Sequence, residues 1–501
     1  MKRSPVAVAA VIVIALAIGA AAQSAPQAAA PEPFAGLAFR NIGPAIMSGR
    51  IGDIAIHPLK RHTWYVAVGS GGLWKTENAG TTWTPVFDAQ ASYSIGCVAL
   101  DPSNPDTVWV GTGENVSGRH VGFGDGVYKS LNGGKTWTNT GLARSEHIGR
   151  ILVDPRDPDV VYVAAEGPLW SAGGERGLYK TTDGGRSWTL ALEISKDTGV
   201  TSAEFDPEDP DTLYAASYQR RRSVAAFMGG GPESGIWKSG DAGKTWRRLA
   251  VGLPKGDCGK IGLAVSPLDP RVVYATVEAG PEEKGFYRSA DRGESWEKRS
   301  SYISGGTGPH YYQEIFADPN RFDRVYQMDP GLRATDDGGK TWRRVDEKNK
   351  HGDNHAMAFV KGEPGYILNG SDGGVYETFD GGATWRFFEN LPVTQIYKLA
   401  LDNALPFYNV HGGTQDNGSQ LGPSRTPNGN GISNCDWTIT YGADGYASAV
   451  DPEDPDTIYL EWQEGNLLRY DKRSHETVYV SPRAEPGDPP LRFNWDSPVI
   501  V

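Results

Sequence analysis

The chain has little of what marks several large protein classes. Its 501 residues include only three cysteines, Cys97, Cys258 and Cys435, which form neither a disulfide framework nor a CxxC metal spacing. Beyond the N-terminus it has no long apolar run, and a mean hydropathy of −0.45 excludes a protein with several membrane spans. Asp+Glu (61) outnumber Lys+Arg (49), so the net charge is −12, and without a long basic run no nucleic-acid partner is expected.

Sequence motifs for cofactors and metals are also missing. We find no zinc-ligand spacing, phosphate-binding P-loop, nucleotide-binding glycine motif, GxSxG elbow or EF-hand loop. No cofactor and no metal site are therefore expected. What the chain has in abundance is 64 Gly, 34 Pro and 52 aromatic residues (15 Trp, 22 Tyr, 15 Phe). Many turn residues together with enough aromatic area for a large core indicate a folded protein of short β-strands.

The N-terminus resembles an export signal. Lys2 and Arg3 precede an apolar run from Val6 to Ala22, which ends in small residues. We predict a signal peptide at residues 1–22 and an Ala/Pro-rich linker at 23–33. The mature chain would then be secreted or periplasmic, with no stable membrane span after cleavage.

A repeated turn motif organises the rest of the chain. The pattern Ser/Thr-x-Asp/Asn-x-Gly-x-Ser/Thr-Trp occurs seven times. Its Asp or Asn side chain can accept backbone N–H bonds, and its Gly suits a left-handed turn, so the acidic residues of these turns are assigned a structural role. The seven copies end at Trp83, Trp137, Trp188, Trp246, Trp296, Trp342 and Trp385.

A second repeat, an Asp-Pro turn between two apolar strands, precedes the Trp-terminated turns, as in Asp101–Trp109. Two such turns in about 50 residues give four antiparallel strands, which is the pattern of a propeller blade. We predict an all-β fold with a seven-bladed β-propeller at residues 34–392. Residues 393–501 are predicted to form a partial second propeller of about two blades and a strand. The alternative is one ring of about ten blades.

The repeats resemble the Asp-box (BNR) repeats of secreted bacterial β-propellers, in particular the sortilin N-terminal domain and the tandem propellers of xyloglucanases. The residues that carry the resemblance, besides the seven turns, are Phe39–Pro44, Gly412–Gly418 and Tyr441–Gly445. This resemblance implies the propeller fold, but the group includes both binding proteins and hydrolases, so it does not decide the function.

Candidate binding residues follow from propeller geometry. If the two kinds of turn share one face, the remaining loops share the other, where variable loops form a binding face. Mixed cationic, acidic and aromatic groups there suit a peptide, protein or glycan ligand. The candidates are Arg50, Glu114, Arg119, His120, Arg150, Trp170, Tyr312, Glu314, Asp353 and His355.

A catalytic alternative comes from the resemblance to xyloglucanases, which use one carboxylate from each propeller. Asp416, in Thr414–Gly418, resembles the second of these carboxylates. The first is expected before a Gly-Gly pair in the first blade, where this chain has Gly69, so one half of the pair is missing; Asp53, Glu114 or Asp353 could replace it. The leading hypothesis is therefore ligand binding through the loop-rich face, and the alternative is a glycoside hydrolase acting on β-glucans.

Overall fold

The structure is a computed structural model that describes residues 40–43, 46, 49–118, 120–305 and 308–501. The signal peptide and linker expected from the sequence lie outside the described residues. Residues Ile42–Val501 form one compact unit, and of the chain before it Arg40 and Asn41 are described. In the described part of the chain, no helix is long and apolar enough to cross a membrane.

The described residues form β-strands, with three short 3-10 turns at Ala143–Ser145, Asn434–Asp436 and Gln463–Gly465. The strands pair into nine antiparallel sheets of four strands each, one of which has an additional strand. Within each sheet the four main strands follow one another in chain order. This is the arrangement of propeller blades that the two repeated turns predict.

The first three sheets use twelve consecutive strands. Their bounds are β1 (Ile51–Ile56), β2 (Trp64–Val68), β3 (Gly72–Thr76) and β4 (Thr84–Pro85); β5 (Ile95–Leu100), β6 (Val108–Thr112), β7 (Val127–Ser130) and β8 (Thr138–Gly141); and β9 (Ile148–Val153), β10 (Val161–Ala165), β11 (Gly177–Thr181) and β12 (Thr189–Leu192).

The fourth sheet is the one with an additional strand, β15, which pairs with the long β14. The bounds of the fourth to sixth sheets are β13 (Thr198–Phe205), β14 (Leu213–Arg222), β15 (Phe227–Gly229), β16 (Gly235–Ser239) and β17 (Arg247–Arg248); β18 (Ile261–Val265), β19 (Val273–Val277), β20 (Gly285–Ser289) and β21 (Glu297–Ser300); and β22 (Ile315–Ala317), β23 (Val325–Gln327), β24 (Arg333–Thr335) and β25 (Arg343–Arg344).

The last three sheets complete the described chain. Their bounds are β26 (Asn354–Phe359), β27 (Ile367–Ser371), β28 (Gly374–Thr378) and β29 (Arg386–Phe387); β30 (Ile396–Leu401), β31 (Asn409–Thr414), β32 (Ser419–Pro423) and β33 (Thr438–Tyr441); and β34 (Gly445–Val450), β35 (Thr457–Trp462), β36 (Asn466–Asp471) and β37 (Thr477–Tyr479).

Each sheet packs on its neighbours through apolar side chains, so the core is a series of clusters between sheets. The first sheet also packs on the seventh: Trp64 and Val66 share a cluster with Leu368 and Phe388. Trp64 meets the ring of Phe388 edge to face, with 5.5 Å between ring centroids. The first and seventh sheets are therefore neighbours, and the division into a ring at 34–392 and a partial ring at 393–501 stays a prediction.

The Trp-terminated turns have the local geometry that their sequence predicts. In the seventh, Gly382 N–H donates to Thr378 Oγ1 (3.1 Å), and Thr384 N–H donates to Asp380 Oδ1 (2.9 Å). Hydrogen bonds from the Thr384 hydroxyl and backbone lower the pKa of Asp380 to about 2. Because its oxygens accept these local bonds, Asp380 stabilises the turn.

Candidate functional site

A cavity of about 410 Å³ lies where loops of the first seven sheets meet the last two sheets. Most of its walls come from segments that follow the second strand of a sheet or precede the first, which are the loops predicted to form the binding face, and the rest come from strand residues and the C-terminal tail. The lining residues are Gly118, His120, Arg222, Phe227, His310, Tyr311, Tyr312, Asp353, Asp372, Tyr397, Gln415, Asp416, Asp444, Tyr446 and Trp495.

Asp372 and Asp416 occupy matching positions in neighbouring sheets. Asp372 directly follows β27, the second strand of the seventh sheet, and Asp416 comes two residues after β31, the second strand of the eighth. The two carboxyl groups hydrogen-bond to each other. Gln415 strengthens the pairing, because its Nε2 donates to Asp372 Oδ2 (2.6 Å) and to Asp416 Oδ2 (3.1 Å).

Asp372 is buried and is held by positive and polar groups. Arg50 Nε donates to Asp372 Oδ1 (2.8 Å) and Arg50 Nη2 to Asp372 Oδ2 (3.2 Å), which is a bidentate pair. His355 Nε2 lies 3.0 Å from the same Oδ1. Although burial opposes ionisation, the attraction of Arg50 and His355 holds the pKa of Asp372 well below its usual range.

Asp416 has the opposite protonation behaviour. Burial, followed by the charge of Asp372 and a hydrogen bond to it, raises the pKa of Asp416 to about 10. Further carboxylates, Asp444 and Asp353, act in the same direction. The raised pKa of Asp416 and the lowered pKa of Asp372 therefore favour a single shared proton on the Asp416 side of the pair, at the cavity wall. A carboxylic acid kept neutral in this way is able to donate a proton.

Two more carboxylates line the cavity. Asp353 Oδ1 accepts a hydrogen bond from Tyr312 OH (2.6 Å), and its side chain is 29% exposed. Asp444 has both oxygens engaged, because Oδ1 accepts Asp416 N–H (2.7 Å) and Oδ2 accepts Gln463 Nε2 (2.6 Å). Asp353 is thus the more accessible of the two.

Both Asp353 and Asp416 have left-handed backbone conformations, with φ of 52° and 56°. Residues other than glycine adopt such values infrequently, and they cluster at functional sites, where surrounding structure maintains them. Asp and Asn tolerate this conformation better than most residues, so exchanging Asp for Asn is the least disruptive way to remove either carboxyl.

Aromatic rings form much of the remaining wall. Tyr397 and Tyr446 stack almost parallel, with ring centroids 4.8 Å apart and an interplanar angle of 6°. Elsewhere in the lining, Phe227 packs on His310 with 4.9 Å between ring centroids, and the guanidinium of Arg222 lies 4.4 Å from the Phe227 centroid. Flat aromatic faces beside hydrogen-bonding carboxyls suit a ligand with both apolar and hydroxyl surfaces.

The structure brings only some of the sequence-predicted residues into this cavity. Asp416, His120, Tyr312 and Asp353 line it. Arg150, Glu314 and His355 instead line a smaller cavity of about 70 Å³ formed mainly by the first strands of the sheets. Trp170 is 48% exposed and does not line the cavity. Arg119 lies outside the described residues.

Arg50 and Glu114 are buried below the cavity. The two side chains are 3% and 2% exposed, and Arg50 Nη1 lies 3.3 Å from Glu114 Oε1. Glu114 also explains the glycine at position 69: a Cβ there would lie 2.2 Å from Glu114 Oε1. The position expected to hold a first-blade carboxylate is therefore closed.

Asp372 is the residue that sequence reasoning missed. The expected Asp-Gly-Gly pattern is present as Asp372-Gly373-Gly374, but in the seventh sheet instead of the first. Aligning the residues that follow each second strand would have identified it. The described residues contain no group of three or more His, Cys, Asp or Glu side chains placed to hold a metal ion.

Comparisons with known proteins point to propeller enzymes and propeller surface proteins. No family model matches the chain. A xyloglucanase of Hypocrea jecorina is 27% identical over 191 residues, covering 35% of this chain and 21% of that protein. The chain spans between a fifth and about a quarter of the length of the curated relatives it matches.

Two solved structures have a TM-score of 0.51. One is an ancestral GH74 enzyme, 16% identical, with 86% of this chain and 69% of that chain covered. The other is PorZ of Porphyromonas gingivalis, a surface component of the type-IX secretion system, 13% identical, with 90% and 55% covered. At these identities the likeness is one of fold, and the chain is a β-propeller similar to those of GH74 enzymes.

Proposed function

We propose that the chain hydrolyses a glycan in this cavity, with Asp416 as general acid and Asp353 as general base. The observation that carries the proposal is the position of the Asp416 carboxyl at the cavity wall, paired with the buried Asp372 that Arg50 binds through two hydrogen bonds. Glycosidic bonds are broken by a carboxylic acid that protonates the leaving oxygen and a carboxylate that activates water or attacks the sugar.

Asp353 is assigned as the base because of its access to the cavity. Asp372 is 1% exposed and bound by Arg50 and Gln415, so no water reaches it easily. Asp444 uses both oxygens in protein hydrogen bonds. Asp353 has one strong donor, Tyr312, and keeps a partly exposed carboxylate. We therefore propose Asp353 among the three replacements that the sequence left open.

The proposed substrate is a β-glucan such as xyloglucan. Support comes from the names of the matching relatives, which are xyloglucanases, and from the aromatic walls, which offer stacking surfaces for sugar rings. The signal peptide expected from the sequence would place the protein outside the cytoplasm, where such polysaccharides are found, so we propose a secreted enzyme.

The test is sugar release from a panel of β-glucans, including xyloglucan, by the wild type, Asp416→Asn and Asp353→Asn. Both variants should lose a hundredfold or more of the activity, on the order expected for losing a general acid or base. An aryl glycoside with a good leaving group separates the roles, because it needs no acid: Asp416→Asn should cleave it and Asp353→Asn should not. Absence of sugar release by the wild type, or full activity of Asp416→Asn, would refute the proposal.

Glycan binding without hydrolysis is the second candidate. The favouring observation is the aromatic wall, where the rings of Tyr397 and Tyr446 lie beside the carboxyls, because such a surface binds a sugar whether or not a bond is cleaved. Calorimetric titration of wild type and Asp416→Asn with the same oligosaccharides distinguishes the two candidates. Equal affinity of both proteins together with no product would favour binding alone.

A further inference from the structure

Arg50 connects more of the site than any other side chain described above. It precedes β1, in the first sheet, and contacts Asp372 from the seventh, Glu114 from the second and Tyr311 from the segment before the sixth. Tyr311 OH accepts from Arg50 Nη2 at 2.6 Å, and the guanidinium lies 4.7 Å from the Tyr311 centroid. The backbone N–H of Arg50 donates to Oε1 of Gln395 (3.3 Å), a residue that directly precedes the eighth sheet.

The guanidinium does not line the cavity, because Arg50 is buried and contacts Asp372, which does line it. The sequence predicts Arg50 as a ligand-binding residue, whereas in the structure its guanidinium binds other side chains of the protein. Its bidentate contact orients both oxygens of Asp372, leaving that carboxylate as the acceptor for Asp416. An arginine in this geometry fixes an orientation as well as a charge.

Without the guanidinium, Asp372 would be a buried carboxylate whose remaining polar neighbours are His355, Gln415 and the Asp416 carboxyl. An isolated buried carboxylate is strongly disfavoured and takes up a proton. The shared proton would then move from the cavity wall to the buried member of the pair. Other charged groups near the pair are Glu114, Asp353 and Asp444.

We propose that Arg50 is a positioning residue that decides which carboxyl of the Asp372–Asp416 pair carries the proton. It holds Asp372 as the fixed acceptor, so that the proton stays on Asp416, where a ligand can receive it. This inference rests on the proposed role of Asp416 as the acid. It concerns the location of one proton and is therefore measurable without turnover.

Infrared difference spectra of the carbonyl band of protonated carboxylic acids test it at pH 7. Wild type minus Asp416→Asn should show one protonated-acid band, because the proton is on Asp416. In the Arg50→Gln background the same subtraction, Arg50→Gln minus Arg50→Gln/Asp416→Asn, should show no such band, because the proton is then on Asp372 in both proteins. Comparing pairs that differ only at Asp416 removes the bands of all other buried acids.

Arg220 provides the matched control. It is 1% exposed and pairs with Glu166 (2.8 Å), so it is another buried arginine that joins loops of different sheets, but it has no contact with Asp372. In an Arg220→Gln background the Asp416 band should persist. If it disappears there as well, or if it persists in the Arg50→Gln background, the inference is wrong. Circular dichroism confirms that each variant is folded.

The kinetic consequence is separate from the spectroscopic test. Arg50→Gln should lower kcat for glycan release by a hundredfold or more with KM within about threefold, because the acid is lost while the binding wall is retained. Arg50→Lys, which keeps the charge, should recover part of kcat.

If the wild type releases no sugar, the hydrolase proposal fails, and the spectra still decide whether Arg50 sets the proton position. If neither Asp416 subtraction shows a band, Asp416 is not protonated and the inference fails.

Discussion

Carboxyl groups on two parts of this propeller behave in opposite ways. In the Trp-terminated turns, Asp380 accepts hydrogen bonds from residues within four positions, which lower its pKa to about 2. In the cavity, burial and then the neighbouring carboxylates raise the pKa of Asp416 to about 10. An aspartate is therefore an ionised acceptor where nearby backbone and hydroxyl groups donate to it. It is a proton donor where it is buried beside carboxylates from distant parts of the chain.

The largest expected effect is that of Asp372→Asn. After burial, the charge of Asp372 contributes most to the raised pKa of Asp416, so removing it lowers that pKa; it also leaves Arg50 with Glu114 as its remaining carboxylate partner. We expect kcat for glycan release to fall by a hundredfold or more, on the scale of losing a general acid. The alkaline limb of the pH–rate profile should also move to lower pH.

Asp380→Asn is the control for that measurement, because it replaces a carboxyl by an amide in the same way, but in a Trp-terminated turn outside the cavity. It should leave kcat and the pH–rate profile as in the wild type. If Asp372→Asn keeps wild-type activity and the same alkaline limb, the charge of Asp372 does not hold a proton on Asp416.

The sequence predicted the sheets and the turns well because both depend on local interactions. The pattern around Asp380 and Gly382 specifies its own hydrogen bonds, and the apolar strands before and after it specify a blade. Asp416 was also predicted from a short motif, through its resemblance to xyloglucanases. These signals lie within about ten residues of chain, the range over which a single sequence is informative.

The rest of the site depends on contacts between distant residues. Arg50 and Asp372 are 322 positions apart and meet because the first and seventh sheets are neighbours. Likewise, the carboxylate of Glu114 fills the space at Gly69, 45 positions earlier, where a catalytic Asp was expected. Motif spacing alone carries no information about such neighbours.

The pH dependence of stability sharpens the comparison further. Because the folded-state pKa of Asp416 is raised to about 10, its contribution to stability is fully present below the ordinary Asp range and declines as the pH rises toward 10. Between pH 5 and 9 the folded protein holds one proton that the unfolded chain releases. The free energy of unfolding should therefore fall with pH more steeply in the wild type than in Asp416→Asn, by up to about 1.4 kcal/mol per pH unit.

Urea denaturation of both proteins across this range provides the measurement. Asn is the suitable replacement because it keeps the size of the side chain and tolerates φ near 56°. Parallel pH curves for the two proteins would show that Asp416 is ionised in the folded state.

The smallest expected effect is the loss of stability when Asp380, in a Trp-terminated turn, is replaced. Asp380→Ala removes the acceptor for Thr384 N–H and its hydroxyl, so the free energy of unfolding at pH 7 should fall by about 1 kcal/mol, the net value of a typical hydrogen bond. Since the pKa of Asp380 is lowered to about 2, its stabilisation is present above the ordinary Asp range and is lost as the pH falls through 2. The difference between wild type and variant should thus be constant from pH 5 to 9 and shrink in acid, which is the reverse of the trend for Asp416. A difference that instead grows in acid would mean that Asp380 does not act as a local acceptor.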